Sequence, residues 1–129
     1  MPDYSFHHLH LMSPDPIRTA EFYERMFGAT RVSVREMDGG RHAVNLDLNG
    51  TAILVLSQRE GATVPGDPQS GLEHFGLRTN DIEAAVVELR ASGVEIVQDV
   101  TELGRGGNLK IAFLRGPENV LIELLEVSG

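Results

Sequence analysis

The pattern of apolar and polar residues near the start of the chain predicts a short strand followed by a helix. Polar and apolar side chains alternate in HLHL, residues 8–11 of the segment FHHLHLMS (6–13), which is typical of a strand with one face on a core. Asp15 can then cap a helix, and Pro16 suits its first turn. Gly28 predicts the end of that helix, since apolar residues recur at helical spacing up to it, namely Ile17, Ala20, Tyr23, Met26 and Phe27.

The same order of elements occurs a second time. HLHLMSPD, residues 8–15, and HFGLRTND, residues 74–81, each begin with His on an alternating segment and reach Asp seven positions later. Asp81 or Asn80 can cap the second helix, and Gly93 ends it. Its apolar stripe consists of Ile82, Ala85, Val86 and Leu89. The chain is therefore an internal repeat.

Three strand-like runs follow each predicted helix. The first copy has TRVSVREM, RHAVNLDL and TAILVLSQ, with Asn49-Gly50 as a strong hairpin signal, and the second has VEIVQDV, LKIAFLR and VLIELLEV. Each half therefore reads βαβββ, and the fold class is α+β. We predict a single domain, 1–129, with module one at 4–60, a Gly/Pro-rich linker at 61–71 and module two at 72–127. A half of about 55 residues is marginal alone, so the two are expected to share a core.

Composition and charge exclude several kinds of partner. The net charge of −8 argues against nucleic acid, which requires clustered Lys and Arg, and the absence of Cys excludes disulfides and thiolate chemistry. No apolar run approaches the roughly 20 residues that span a bilayer. The N-terminus MPDYSFHH lacks the basic and apolar regions of a signal peptide. We expect a cytoplasmic protein that contacts neither nucleic acid nor membrane.

The histidines of the first strand fall on two faces. Leu9 and Leu11 share one face with His7, and we expect the helix to cover this more apolar side. His8 and His10 then point to the opposite face, toward whatever cavity the sheet encloses. His7 is expected to be structural.

A carboxylate on the last strand completes a candidate metal site. Glu123 interrupts the apolar strand NVLIELLEV, where a carboxylate is costly unless it is paired or bound to metal. A lone strand His is usually structural, but His8 and His74 lie in register in both copies. We predict that His8, His74 and Glu123 hold a divalent metal, Fe²⁺, Mn²⁺, Ni²⁺ or Zn²⁺, with positions open for a substrate that chelates through adjacent oxygens.

Three further side chains are candidates for chemistry or substrate contact. His10 could carry a proton near the metal, since imidazole titrates close to neutral pH, with Glu123 as the other catalytic candidate. His42 could contact substrate, although its face is undecided by the pattern. Arg78 lies four residues past His74 and could pair with an anionic substrate group, the alternative being a solvated strand end.

The paired H-x-x-L-x-x-x-D starts, AEFYERMFGA in 20–29 and GGNLKIAFLRGPENVLIELLE in 106–126 resemble the vicinal oxygen chelate superfamily. That superfamily includes glyoxalase I, extradiol dioxygenases, fosfomycin-resistance transferases, methylmalonyl-CoA epimerases and bleomycin-resistance proteins. The resemblance implies paired βαβββ modules forming a curved mixed sheet around a metal in a central cavity. For a short chain it also implies a homodimer whose modules pair across subunits, so that sites are shared between them; the sequence is equally compatible with pairing within one chain.

The resemblance leaves the reaction open. Glyoxalase-type and epimerase-type sites carry a fourth ligand late in module one, and the matching position is interpreted as Val55, which cannot ligate. Three ligands is the count in extradiol dioxygenases, but the Tyr that those enzymes place before the ligand Glu is Phe113 here. The prediction is a glyoxalase-like lyase or isomerase. The alternatives are a non-haem Fe²⁺ dioxygenase and a binding protein without catalysis.

Overall fold

Two βαβββ units build the protein, which confirms the predicted α+β fold class. The computed structural model describes residues 2–66, 70–104, 106 and 108–128, and part of the predicted linker therefore lies outside the described residues. The chain divides into two compact units, Met1–Thr63 and Val64–Gly129. The assignment of both units to one domain stays a prediction. Neither helix in the described part of the chain is long and apolar enough to cross a bilayer.

Unit one is a four-stranded mixed sheet with one helix. Its strands lie in the order β1-β4-β3-β2, where β1 is parallel to β4 and the other pairs are antiparallel. The elements are β1 (His8–Ser13), α1 (Pro16–Phe27), β2 (Thr30–Met37), β3 (Arg41–Leu48) and β4 (Thr51–Ser57). These bounds match the sequence pattern within one or two residues.

Helix α1 begins and ends where its sequence predicts. The Asp15 carboxylate accepts a hydrogen bond from the Arg18 N–H at 3.2 Å, and Pro16 occupies the first turn. Gly28 takes the left-handed conformation at φ 73° and donates its N–H to carbonyls of the last turn. A buried hydroxyl pair, Ser13 Oγ and Thr19 Oγ1 at 2.7 Å, joins the end of β1 to α1.

Unit two repeats this arrangement with the strand order β5-β8-β7-β6. Its elements are β5 (His74–Arg78), α2 (Ile82–Ala91), β6 (Ile96–Leu103), β7 (Leu109–Arg115) and β8 (Leu121–Val127). Asp81 caps α2, accepting a hydrogen bond from the Ala84 N–H at 3.1 Å. The choice that the sequence left open between Asn80 and Asp81 is thereby settled.

Strand β6 lies further along the chain than the pattern VEIVQDV, residues 94–100, predicts. Its pairing with β7 shifts register between Ile96 and Gln98 and again between Gln98 and Thr101. At the second shift the Asp99 carboxylate accepts a hydrogen bond from the Val100 N–H at 2.8 Å. Such bulges break strict alternation, so residues 101–103 continue a strand that the sequence pattern ends too early.

In each unit one sheet face packs under the helix and the other carries the candidate site. The helix face of unit one contains fully buried Leu46 and Val55, and that of unit two contains fully buried Leu114 and Ile122. His8 and His74 lie on the opposite faces of their own sheets. We call these the open faces. Because strand side chains alternate, the residues buried on the helix face determine which neighbours point to the open face.

Candidate metal centre

Two of the three predicted ligands meet on the open face of unit two. Strands β5 and β8 are parallel, with His74 opposite Leu121 and Gly76 opposite Glu123. This register places the His74 Nε2 3.2 Å from the Glu123 Oε1. The Glu123 side chain is only 17% exposed, so its charge is largely removed from water and needs a cationic partner.

Gly76 leaves the space in which this pair lies. A Cβ atom at this position would lie 2.9 Å from the Leu125 Cδ1 and 3.6 Å from the Glu123 Oε1. Glycine lies between His74 and Arg78 on the same strand face, so a larger residue would fill the opening beside the carboxylate. The sequence alone gave no reason to single out this glycine.

The surroundings of His74 suit a cation. Glu73 Oε1 lies 3.0 Å from the His74 Nδ1, so a carboxylate faces each ring nitrogen. A neutral imidazole has a single N–H and can donate to only one of them. Either a proton or a metal ion must therefore sit on the Glu123 side. Two ligand atoms that bind the same metal ion at about 2.1 Å lie roughly 3.0–3.5 Å apart, and the separation of the His74 Nε2 and the Glu123 Oε1 fits this range.

Phe113 limits the position of the His74 ring. Its ring packs edge-on against the imidazole, with centroids 5.2 Å apart and planes at 86°. Phe113 is also directly opposite Glu123 in the β7–β8 ladder. The ligand pair therefore has an apolar wall on one side, where a hydroxyl-bearing residue would have offered a proton.

The register of unit one corrects one sequence assignment. His8 is opposite Ala52 and His10 is opposite Leu54, so Leu54 is the position that matches Glu123. The interpretation of Val55 as that position is wrong, because Val55 is fully buried on the helix face. A shift of one residue along a strand exchanges the two faces. Leu54 has no ligand atom either, so the three-ligand interpretation does not change.

The two histidines of β1 lie where the alternation predicts. His8 and His10 are exposed and lie opposite to Leu9 and Leu11, which pair with the buried residues of β4. His10 takes the position that Gly76 occupies in unit two. The convergence of these histidines with His74 and Glu123 stays a prediction, since they belong to different units.

His7 contacts His8. It precedes β1, and its Nδ1 lies 2.9 Å from the His8 Nδ1, with the two rings edge to face. The prediction that His7 lies on the helix side is wrong, because His7 precedes β1 and strand alternation does not extend to it.

The two substrate candidates differ in position. Arg78 is exposed at the end of β5, on the same face as His74 and Gly76. His42 lies two and four residues before the buried Val44 and Leu46, and residues two apart share a strand face. His42 is therefore on the helix face of its sheet, away from His8 and His10. A substrate contact for either residue stays a prediction, and the face of His42 does not favour one.

Unit two also contains a group of neighbouring carboxylate side chains that the sequence pattern does not predict. Asp81, Glu83 and Glu126 bring carboxylate oxygens within 4.8 Å of one another at the start of α2. They already have partners: Lys110 donates to Glu83 at 3.0 Å, and Glu126 accepts the Ile82 N–H at 2.9 Å. Acidic side chains at a helix N-terminus are stabilised by the helix dipole, so this group is explained as a helix cap.

Lys110 shifts the titration of this cap. The hydrogen bond from Lys110 lowers the pKa of the Glu83 carboxyl below its usual 4.5, and the same bond raises the pKa of Lys110. The folded protein therefore gains stability from Glu83 at pH values above 4.5, and loses it as pH falls through the lowered pKa. Both groups are at the surface, so the effect is small.

Comparison with known proteins gives a family match over most of the chain. Residues 5–124 match the family described as Glyoxalase/Bleomycin resistance protein/Dioxygenase superfamily. In the solved glyoxalase family protein from Bacillus cereus the fold is the same, with a TM-score of 0.82 at 16% identity, over 100% of this chain and 97% of that one. At such low identity the likeness shows the fold alone.

Two curated relatives are enzymes. Lactoylglutathione lyase GLX1 from Arabidopsis thaliana is 26% identical over 114 residues, which is 84% of this chain and 39% of that protein. The chain therefore spans less than half of that lyase. The mitochondrial methylmalonyl-CoA epimerase of Dictyostelium discoideum is 27% identical over 127 residues, which is 92% of this chain and 76% of the epimerase.

Proposed function

The chain belongs to the Glyoxalase/Bleomycin resistance protein/Dioxygenase superfamily, and from this premise we propose that it is a divalent-metal-dependent enzyme of lyase or isomerase type. Its substrate would be a small molecule that binds the metal through adjacent oxygens. The observation that carries the proposal is the His74–Glu123 pair, 3.2 Å apart, with Gly76 leaving room beside it. The two curated relatives, a lyase and an epimerase, support the reaction class.

We assign the metal to His74 and Glu123 together with His8. The His74 imidazole and the Glu123 carboxylate supply one nitrogen and one oxygen ligand, and His8 is the corresponding imidazole of unit one. Such a donor set suits Fe²⁺, Mn²⁺, Ni²⁺ or Zn²⁺. When bound, the metal would stabilise negative charge on a substrate oxygen as a Lewis acid.

The protein's own groups have separate tasks in this proposal. Phe113, which is opposite Glu123 in the ladder and packs edge-on against the His74 ring, provides an apolar wall beside the ligand pair. His10, exposed on the open face of unit one, is the candidate for moving a proton between substrate and solvent. Arg78, at the end of the same strand as His74, is the candidate for binding an anionic substrate group.

One observation favours a second function, an Fe²⁺-dependent extradiol-type dioxygenase. Leu54 occupies the unit-one position that matches Glu123, which leaves three protein ligands and more open positions on the metal. Against this, Phe113 lies beside His74 and has no hydroxyl to take part in proton transfer. We therefore keep the lyase or isomerase as the first proposal. A binding protein without catalysis is the outcome if no metal is taken up.

We also propose that the protein is a cytoplasmic homodimer in which His8 of one chain joins His74 and Glu123 of the other. The basis is the superfamily resemblance, together with the presence of one histidine ligand in each unit.

Metal binding and turnover by matched variants test the proposal. We expect purified protein reconstituted without oxygen to bind one metal ion per chain. Glu123→Gln and His8→Ala should weaken this by about 100-fold or more, since even outer residues of metal sites contribute 10–100-fold. Glu88→Gln, an exposed change on α2, is the charge-matched control for Glu123. Metal content is measured by mass spectrometry, and turnover with lactoylglutathione, methylmalonyl-CoA and a catechol.

The outcomes separate the functions. Turnover of either thioester by the Ni²⁺, Zn²⁺ or Mn²⁺ form without oxygen uptake supports the lyase or isomerase. Oxygen consumption with catechol by the Fe²⁺ form supports the dioxygenase instead. Wild-type protein that binds no metal contradicts both, and unchanged metal binding by His8→Ala removes His8 from the ligand set.

A further inference from the structure

The side chain before each candidate ligand histidine contacts that histidine at the same ring nitrogen. In unit one the His7 Nδ1 lies 2.9 Å from the His8 Nδ1. In unit two the Glu73 Oε1 lies 3.0 Å from the His74 Nδ1. Two units with different residues at the preceding position therefore make the same contact.

Neighbouring side chains make such contacts only at a strand end. Within a strand, successive residues point to opposite faces and do not meet. His8 is the first residue of β1 and His74 is the first residue of β5. His7 and Glu73 precede the strands, so alternation does not hold their side chains on the opposite face. The contact thus depends on each histidine lying at the entry to its strand.

The contact with Glu73 determines which nitrogen of the His74 ring is available. A neutral imidazole has one N–H and one lone pair, so a proton on Nδ1 leaves the lone pair on Nε2. The Glu73 carboxylate can only accept, so the His74 Nδ1 must donate to it. The His74 Nε2 is then the nitrogen that faces Glu123. The same logic gives His8 an Nδ1–H donor if His7 presents its Nδ1 lone pair.

We propose that His7 and Glu73 are positioning residues, each holding the Nδ1 of the following histidine so that its Nε2 is presented to the metal. The inference rests on the proposed metal site and adds two residues to it. Histidine ligands of metals generally donate their second ring N–H to a partner, which fixes the ring and makes it a stronger ligand. Glu73 is expected to contribute more than His7, because an anionic carboxylate increases ligand basicity more than a neutral imidazole does.

Co²⁺ binding by four variants tests the proposal. Titration of metal-free protein with Co²⁺, followed by visible absorption, gives the dissociation constant. We expect Glu73→Ala to weaken Co²⁺ binding by about 10–100-fold and His7→Ala by about 3–10-fold. Glu73→Gln and His7→Gln retain an oxygen that can accept from Nδ1, and should recover part of the loss. Glu88→Gln removes one negative charge from unit two away from the site and should bind as wild type does.

Thermal unfolding of the metal-free variants distinguishes a role in positioning the histidine from a role in stabilising the fold. Glu73 is 63% exposed, so we expect its variants to unfold at the wild-type temperature when no metal is present. Wild-type affinity in both alanine variants would overturn the positioning proposal and leave the metal site intact. A loss of affinity that the glutamine variants do not recover at all would also contradict it. Wild-type protein that takes up no Co²⁺ would overturn the proposed function itself.

Discussion

At the scale of single residues, the candidate site depends on what is missing from a side chain as much as on what is present. Gly76 pairs with Glu123 in the ladder, and the absence of a Cβ leaves space for the Glu123 carboxylate and Leu125. Leu54 takes the matching place in unit one and removes a possible fourth ligand. Two small differences between the copies thus assign the carboxylate to one unit only.

The size of the side chain at position 76 should affect both stability and metal binding. We expect Gly76→Ala to change the free energy of unfolding by less than about 1 kcal/mol, because the end of the Leu125 side chain can move and alanine restricts the unfolded chain. Gly76→Val adds carbons beside Glu123 and should cost about 1–3 kcal/mol and at least about 10-fold in Co²⁺ affinity.

Denaturant unfolding and Co²⁺ titration measure the two effects. Gly66→Val is the control, since a Cβ there meets no atom within 4 Å and its φ is not positive. Co²⁺ affinity that is unaffected by Gly76→Val would mean that the space beside Glu123 has no role in the site.

At the scale of elements, the local sequence predicts where the helices begin and end, and the ladder determines the strands. Asp15 and Asp81 cap their helices as the repeat indicates, because capping involves residues three apart in the chain. The local sequence does not predict the bounds of β6, since its bulges depend on pairing with β7. The joint between β1 and α1 was also outside the pattern: a serine and a threonine six residues apart meet in the core.

Removal of one hydroxyl from that joint should destabilise unit one. Ser13 is fully buried, and its Oγ contacts the Thr19 Oγ1 and accepts the Asp15 N–H at 3.0 Å. We expect Ser13→Ala to lower the free energy of unfolding by about 1–3 kcal/mol, because it leaves buried polar groups without this partner. The double variant Ser13→Ala/Thr19→Val should lose less stability than the sum of the two single variants, since it leaves neither hydroxyl without its partner.

Chemical denaturation of the single and double variants measures this coupling. Thr63→Val, at an exposed position, is the matched control and should lie within about 0.5 kcal/mol of wild type. Strict additivity of the Ser13 and Thr19 changes would show that the two hydroxyls do not act together.

At the scale of the whole molecule, the proposed site requires ligands from both units. His8 belongs to Met1–Thr63, whereas His74 and Glu123 belong to Val64–Gly129. Ligands from two units can come from one chain or from two subunits, and the repeat itself is equally compatible with both. Oligomers that mix two variant chains can therefore distinguish a site within one chain from a site shared between subunits.

Complementation between two inactive variants should reveal sharing. We expect His8→Ala and Glu123→Gln chains, unfolded and refolded together, to recover about one quarter of the wild-type Co²⁺ sites if each site is shared across a two-fold dimer. The reason is that about half of the dimers would be mixed, and each would have one site with all three ligands.

Each variant refolded alone is the control and should bind little Co²⁺. Refolded mixtures that bind no more than the separate variants, while wild type refolds with full binding, would assign all three ligands to a single chain.

The sequence by itself determined the repeat, the order βαβββ, the helix caps, and the face of each strand where alternation is strict. These features follow from the backbone geometry of residues close together in the chain, so composition and spacing carry them. The tertiary structure alone decided that Leu54, and not Val55, matches Glu123, that Gly76 leaves space beside the ligand pair, and that His7 and Glu73 contact the following histidines. Each depends on register between strands distant in sequence, or on where a strand begins, and a change of one residue in either moves a side chain to the other face.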